Sequence, residues 1–113
     1  MEVCNMVYVM LTAWIPADKA KIFGKRVIEA FAKFPADKSI SKTVLQMAGT
    51  DEGYIRTFSI NEVVDGKITE AMSRATRFAI FYAEGVGEGF KYKIETLMSA
   101  IEAMRVIGME MPE

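Results

Sequence analysis

The sequence predicts an α+β fold: two helices laid on one face of a four-stranded antiparallel sheet, in one domain spanning residues 1–113. Three observations predict it. Four stretches read as strands and two longer ones carry apolar residues at helical spacing, in the order β-α-β-β-α-β. The second and third strands are separated by so short a loop that they must pair antiparallel. The first strand, Val7-Tyr8-Val9-Met10-Leu11-Thr12-Ala13-Trp14-Ile15, is apolar on both faces, so it needs cover on both.

In that first strand Val7, Val9, Leu11 and Ile15 fall on one side, and Tyr8, Met10 and Trp14 on the other. Pro16 then opens a helix running to Phe34, with Asp18 in its first turn and Pro35 as its stop. Ala20, Phe23, Val27, Ala30, Phe31 and Phe34 share one face of it, and lysines, Arg26 and Glu29 occupy the rest. A second strand spans Ile40–Ala48, a loop Gly49–Gly53, and a third strand Tyr54–Val63, closed by Asp65-Gly66.

The second helix spans Lys67 to Glu84. Its apolar stripe is Ile68, Ala71, Met72, Ala75, Phe78, Ala79 and Tyr82, with Glu70, Arg74 and Arg77 on the wet side. Glu70 and Arg74 stand i, i+4 in the favourable order. Ile80 and Phe81 fall off the stripe toward solvent, which suggests a partner surface. Gly85-Val86-Gly87-Glu88-Gly89 ends the helix and turns the chain; a phosphate-cradling loop would instead follow a strand and open a helix. Phe90–Leu97 alternates Phe90, Tyr92, Ile94 and Thr96 against Lys91, Lys93 and Glu95, which suits an edge strand. Ser99-Ala100-Ile101-Glu102 has capping-box spacing and starts a short helix to Gly108, ahead of a loose tail.

This order is the split-βαβ, or ferredoxin-like, arrangement. Right-handed crossovers place the first and third strands at the sheet centre. If Val7, Val9 and Leu11 face the helices, then Tyr8, Met10, Thr12 and Trp14 face the open side. Burying three such residues, at about 1.5–3 kcal/mol each, rivals the whole stability of a small domain. A second copy packed sheet to sheet is the simplest cover.

Composition narrows the function classes. The hydrophobic fraction is 51% and the net charge −1, so the chain lacks the basic footprint of a nucleic-acid binder. An RNA-binding sheet of this topology carries a basic-Gly-aromatic-Gly/Ala-aromatic pattern on its third strand. Glu52-Gly53-Tyr54-Ile55-Arg56-Thr57-Phe58 departs from it at Glu52 and Arg56. Glu2, and the lack of Lys or Arg before the apolar run, argue against a signal peptide. That run falls short of the ~20 residues of a membrane span, so a soluble, cytoplasmic protein is expected. A single cysteine, Cys4, suits a reducing compartment and reads as an inert residue at a strand entrance. With no histidine, the usual haem ligand, zinc ligand and general base are missing together, and neither metal nor cofactor is expected. The turn Ile15-Pro16-Ala17-Asp18 has neither the paired cysteines of a copper chaperone nor the anion loop of an acylphosphatase.

The doubly apolar first strand, the hairpin into Ser59-Ile60-Asn61-Glu62-Val63, and the Gly-rich turn into Tyr92-Lys93-Ile94-Glu95 form one pattern. With Ser99-Ala100-Ile101-Glu102-Ala103 directly behind, it resembles the dimeric α+β barrel superfamily over nearly the whole chain, most nearly one of its small uncharacterised families. The resemblance implies a homodimer of facing sheets, with a cavity between sheet and helices or between the sheets. It implies activities that include cofactor-free monooxygenases, haem enzymes, small isomerases or dehydratases, and effector-binding domains. The haem, lactone-isomerase and dehydratase branches rely on histidine, which is absent.

The candidate ligand-binding residues are Tyr8, Thr12 and Trp14 from the first strand, Gln46 from the second, and Arg56 or Asn61 from the third. Arg56 and Asn61 stand on opposite faces, so only one of them points inward. Arg56 could clamp a carboxylate or phenolate, or form an inter-subunit or surface salt bridge. Trp14 and Tyr8 could stack an aromatic ligand or fill the dimer core. Glu62 could act as a base beside Asn61 or stay solvated. Three functions follow: first a small-molecule-binding or regulatory homodimer, then a cofactor-free monooxygenase- or isomerase-like enzyme on an aromatic or phenolic substrate, then a structural assembly subunit, with oligomers beyond the dimer left open. Whether the chain is an enzyme, and which strand face lines the cavity, stay undecided because a one-residue slip inverts every side chain.

Overall fold

The computed structural model describes residues 7–110 and 112, so the readings of Glu2 and Cys4 lie outside the described residues. The elements are β1 (Val7–Pro16), a 3-10 turn (Ala17–Lys19), α1 (Ala20–Lys33), β2 (Ser41–Asp51), β3 (Tyr54–Val63), α2 (Ile68–Val86), β4 (Lys91–Met98) and α3 (Ala100–Val106). They form one antiparallel sheet in the order β2-β3-β1-β4, with β1 and β3 central and β4 at an edge, as expected.

Of the two parities open to β1, the structure takes the one that turns Val9, Leu11 and Ile15 to the helices. Val9, Leu11, Ala13 and Ile15 are buried against the helices, Ile15 completely. Ala71, Ala75 and Ala79 form the sheet-facing side of α2, and their small side chains let the helix lie close over β1. Between the helices an aromatic seam runs through Phe23, Phe34, Phe78, Phe81 and Tyr82, with edge contacts Phe23–Tyr82 at 5.1 Å and Phe34–Phe81 at 5.8 Å.

Five details correct the sequence reading. Pro16 ends β1 instead of opening α1, which starts only after the 3-10 turn. β2 runs on to Asp51, so the hairpin loop is the two residues Glu52-Gly53, at φ 44° and 86°; both are positive, as a tight hairpin turn between right-twisted strands requires. α2 continues through Gly85 to Val86 before Gly87 (φ 76°) breaks it. The absent Cβ at Gly85 is what admits the Arg26 side chain, which occupies that space.

The fourth correction concerns Phe81. Ile80 is 48% exposed, as read, but Phe81 is only 8% exposed. α2 packs on α1 as well as on the sheet, so it carries a second apolar stripe. The Arg26 guanidinium lies 3.9 Å above the Phe81 ring, and its Nε–H donates to the Phe81 carbonyl at 2.9 Å. The Glu70–Arg74 pair is likewise replaced: Arg74 Nη2 donates to the Phe34 and Pro35 carbonyls at 2.9 and 2.7 Å, and Glu70 pairs with Lys67 at 3.5 Å. At the C-terminus Ser99 caps α3 as its spacing predicts, accepting from the Glu102 amide at 3.2 Å.

Candidate functional site

The helices pack mainly over β1, with α2 reaching β4, which leaves the helix side of β2, and of β3 apart from Val63, uncovered. A cavity of about 440 Å³ opens there. Val9, Leu11, Val27, Phe31 and Phe78 supply apolar walls. Most of its polar lining comes from the sheet, where Thr43 and Gln46 on β2 stand beside Thr57, Ser59 and Asn61 on β3.

A β-bulge composes that polar strip. Thr43 pairs with Asn61 but Leu45 with Ile60, so Val44 is an extra residue in β2. Without it, strict alternation from Thr43 would aim Leu45 at the cavity and Gln46 away. With it, Gln46 lies opposite Ser59 on the cavity side, and Leu45 and Met47 join the open face of the sheet. Thr43 Oγ1–H donates to Asn61 Oδ1 at 2.7 Å, which orients that amide. Across the cavity stands Tyr82, whose phenol is pushed up to about 12 by burial and whose hydroxyl has no hydrogen-bond partner among the described residues.

The candidate residues divide between the two sides of the sheet. Gln46 and Asn61 line the cavity. Tyr8, Thr12, Trp14 and Arg56 stand on the opposite, open face, in register with Glu62, Phe58 and Lys93. Thr12 is buried among these neighbours, and Arg56 is exposed. Trp14 Nε1–H donates to Asp51 Oδ2 at 3.1 Å, so its indole edge is tethered across the sheet. Lys91 lies 5.1 Å from the Tyr54 ring centroid, at one end of the same face. A shallow cleft there is lined by Trp14, Asp51, Tyr54, Lys91 and Lys93. Glu62 also sits on the open face, on the other side of the strand from Asn61.

Sequence reasoning missed Thr43, Ser59 and Tyr82. Tyr82 was legible as part of an apolar stripe, and only the gap beside β2 turns it into a lining residue. Thr43 and Ser59 carry no signal until the bulge fixes the strand parity. Arg74 is the one charged residue of the lining, and its Nη2 is committed to the end of α1. Among the described residues no group of three Cys, Asp or Glu side chains is placed to hold a metal, and no helix is long and apolar enough to cross a membrane.

No protein-family model and no curated protein matches the chain. Solved structures do. A dimeric ferredoxin-like protein from an uncultured marine organism matches with a TM-score of 0.58 at 13% identity, over 86% of this chain and 97% of that one. A Bordetella bronchiseptica protein described as a "Putative antibiotic biosynthesis monooxygenase" matches with a TM-score of 0.56 at 11% identity, over 86% and 99% of the two chains. The de novo designed protein Foldit4 matches as well, with a TM-score of 0.57 at 11% identity, over 84% and 99%. A designed chain among natural ones illustrates that the fold alone carries no activity. This chain shares the ferredoxin-like fold of these proteins.

Proposed function

We propose that this chain is a small-molecule-binding homodimer, paired through the open sheet face and holding its ligand in the cavity between sheet and helices. The observation that carries the reading is that cavity. Its volume of about 440 Å³ falls within the ~300–1,000 Å³ of small-molecule sites. Apolar walls with a few convergent polar groups are the composition such sites share.

Pairing is supported by the open face itself. Met10, Trp14, Leu45, Met47, Tyr54, Phe58 and Ile60 share it, and Met47 is 55% exposed in the single chain. A second copy would cover these residues, in keeping with the similarity to a dimeric ferredoxin-like protein. Native mass spectrometry of freshly purified protein tests both parts. A dimer carrying a non-covalent small mass is expected, and a stable, empty monomer would overturn the proposal.

A second reading, a cofactor-free oxygenase, draws on the neighbour described as a "Putative antibiotic biosynthesis monooxygenase". Oxygen-dependent product formation from a phenol or quinol, without added cofactor, would select it over simple binding. The structural-subunit reading keeps only Ile80 of its two supports, since Phe81 is spent on α1.

A further inference from the structure

We infer that the cavity selects an uncharged ligand: an apolar, ring-sized molecule whose oxygen acceptors meet the Asn61 amide N–H on the sheet wall and the Tyr82 hydroxyl on the helix wall. This rests on the ligand-binding reading above and names its ligand class.

The argument starts from the lining. Apart from Arg74, every polar side chain in it is neutral: Ser41, Thr43, Gln46, Thr57, Ser59, Asn61 and Tyr82. Arg74 does not serve as a ready anion clamp. Its Nη2 holds two backbone carbonyls at the end of α1, and its guanidinium carbon lies 5.3 Å from the Phe78 ring centroid. A carboxylate or phenolate entering between Phe31, Phe78 and Val27 would give up part of its hydration, with only the Arg74 guanidinium, already committed through Nη2, to compensate.

The donors are arranged for an acceptor. An amide offers one carbonyl oxygen and two N–H groups. Thr43 donates its hydroxyl hydrogen to Asn61 Oδ1 at 2.7 Å, so the Asn61 oxygen is engaged and its NH₂ is left as the available group. Thr43 is therefore a positioning residue. The Tyr82 hydroxyl has no hydrogen-bond partner among the described residues, and its phenol, pushed up to about 12 by burial, is a neutral donor at neutral pH. A hydrocarbon filling the cavity would cut the Tyr82 hydroxyl off from water and give no acceptor in return, so a ligand that supplies one is favoured.

A matched series of naphthalenes tests this: 2-acetylnaphthalene (neutral, one acceptor), 2-naphthoate (anion) and 2-ethylnaphthalene (no acceptor), titrated calorimetrically at neutral pH. The ketone should bind at least tenfold more tightly than the naphthoate. In Asn61→Ala/Tyr82→Phe its affinity should fall about tenfold, the worth of one good hydrogen bond. The hydrocarbon's affinity should not fall, which shows that the variant cavity is intact. Thr43→Val should lower the ketone's affinity by a smaller factor, again sparing the hydrocarbon. Naphthoate binding as tightly as the ketone, or equal losses for ketone and hydrocarbon in the double variant, would overturn the neutral-ligand inference and leave ligand binding standing. Failure of all three to bind would overturn both.

Discussion

Gly85 and Arg26 should be coupled strongly enough to reverse the sign of a mutation. Within a helix, replacing Gly by Ala ordinarily stabilises by about 0.8–1 kcal/mol. At Gly85 a Cβ would land on the Arg26 side chain, whose Nε–H donates to the Phe81 carbonyl at 2.9 Å and whose guanidinium stacks at 3.9 Å on the Phe81 ring. The hydrogen bond from a charged donor contributes about 1.5–3 kcal/mol. Stacking adds about 0.5–1 kcal/mol at a half-exposed site. The exposed ion pair to Glu29, at 3.7 Å, adds little. Arg26→Ala should thus cost about 2–4 kcal/mol.

Gly85→Ala in the native background should displace Arg26 and cost about 1 kcal/mol net, once the helix-propensity gain is subtracted. In the Arg26→Ala background nothing obstructs the new methyl, and the same substitution should stabilise by about 0.5–1 kcal/mol. The assay is urea unfolding at one fixed protein concentration, because dimerisation would make stability concentration-dependent. A coupling energy of at least ~1.5 kcal/mol is expected from the cycle. If Gly85→Ala raises the midpoint equally in both backgrounds, the tether between the helices contributes nothing and the reasoning is wrong.

Three other outcomes follow from the same structure. Lys19 Nζ donates to the Val86 and Glu88 carbonyls at 3.2 and 2.7 Å and so caps α2, and Lys19→Met should cost about 1 kcal/mol in thermal unfolding. The Tyr82 phenol is raised to about 12 by burial; its neutral form is favoured by the fold, so this contribution is intact below the unfolded value near 10 and is lost as pH rises from there toward 12. Alkaline unfolding curves should therefore show a loss of stability that is absent in Tyr82→Phe. Phe58→Lys puts a charge at the centre of the open face, beside Thr12 and Met47, and should turn the proposed dimer into a folded monomer by analytical ultracentrifugation.

Much of the fold was legible because its signals are local and redundant. The two-sided apolarity of Val7–Ile15 predicts a central strand, and the alternating lysines of Lys91–Glu95 predict an edge. The alternation in β1 separated Val9, Leu11 and Ile15 from Tyr8 and Trp14 but left open which set meets the helices; packing puts Val9, Leu11 and Ile15 on the dry side. Phe81 was misread because a one-stripe template assumes that a helix packs on the sheet alone. α2 also faces α1, and the cation that covers Phe81 comes from 55 residues away. Nothing in the neighbourhood of Phe81 announces Arg26.

The site was less legible than the fold for a separable reason. β2 offers Val44, Leu45, Gln46 and Met47 in succession, a run whose alternation gives no preferred face. An extra residue at Val44 decides that Gln46 joins Thr43 on the cavity side and that Leu45 and Met47 join Phe58 and Ile60 on the other. That one irregularity sorts polar side chains into the cavity and apolar ones onto the exposed face. Bulges carry a cost in ladder hydrogen bonding, and a strand at the sheet edge is where that cost is smallest. The same edge strand thus serves both halves of the proposed function: it floors the ligand cavity on one side and supplies apolar surface for a second copy on the other. Deleting Val44 would leave Leu45 opposite Ile60 and Gln46 opposite Ser59 in a regular ladder, so both sets should keep their sides and binding and pairing should survive together; loss of both would show that the bulge does more than set the parity of β2.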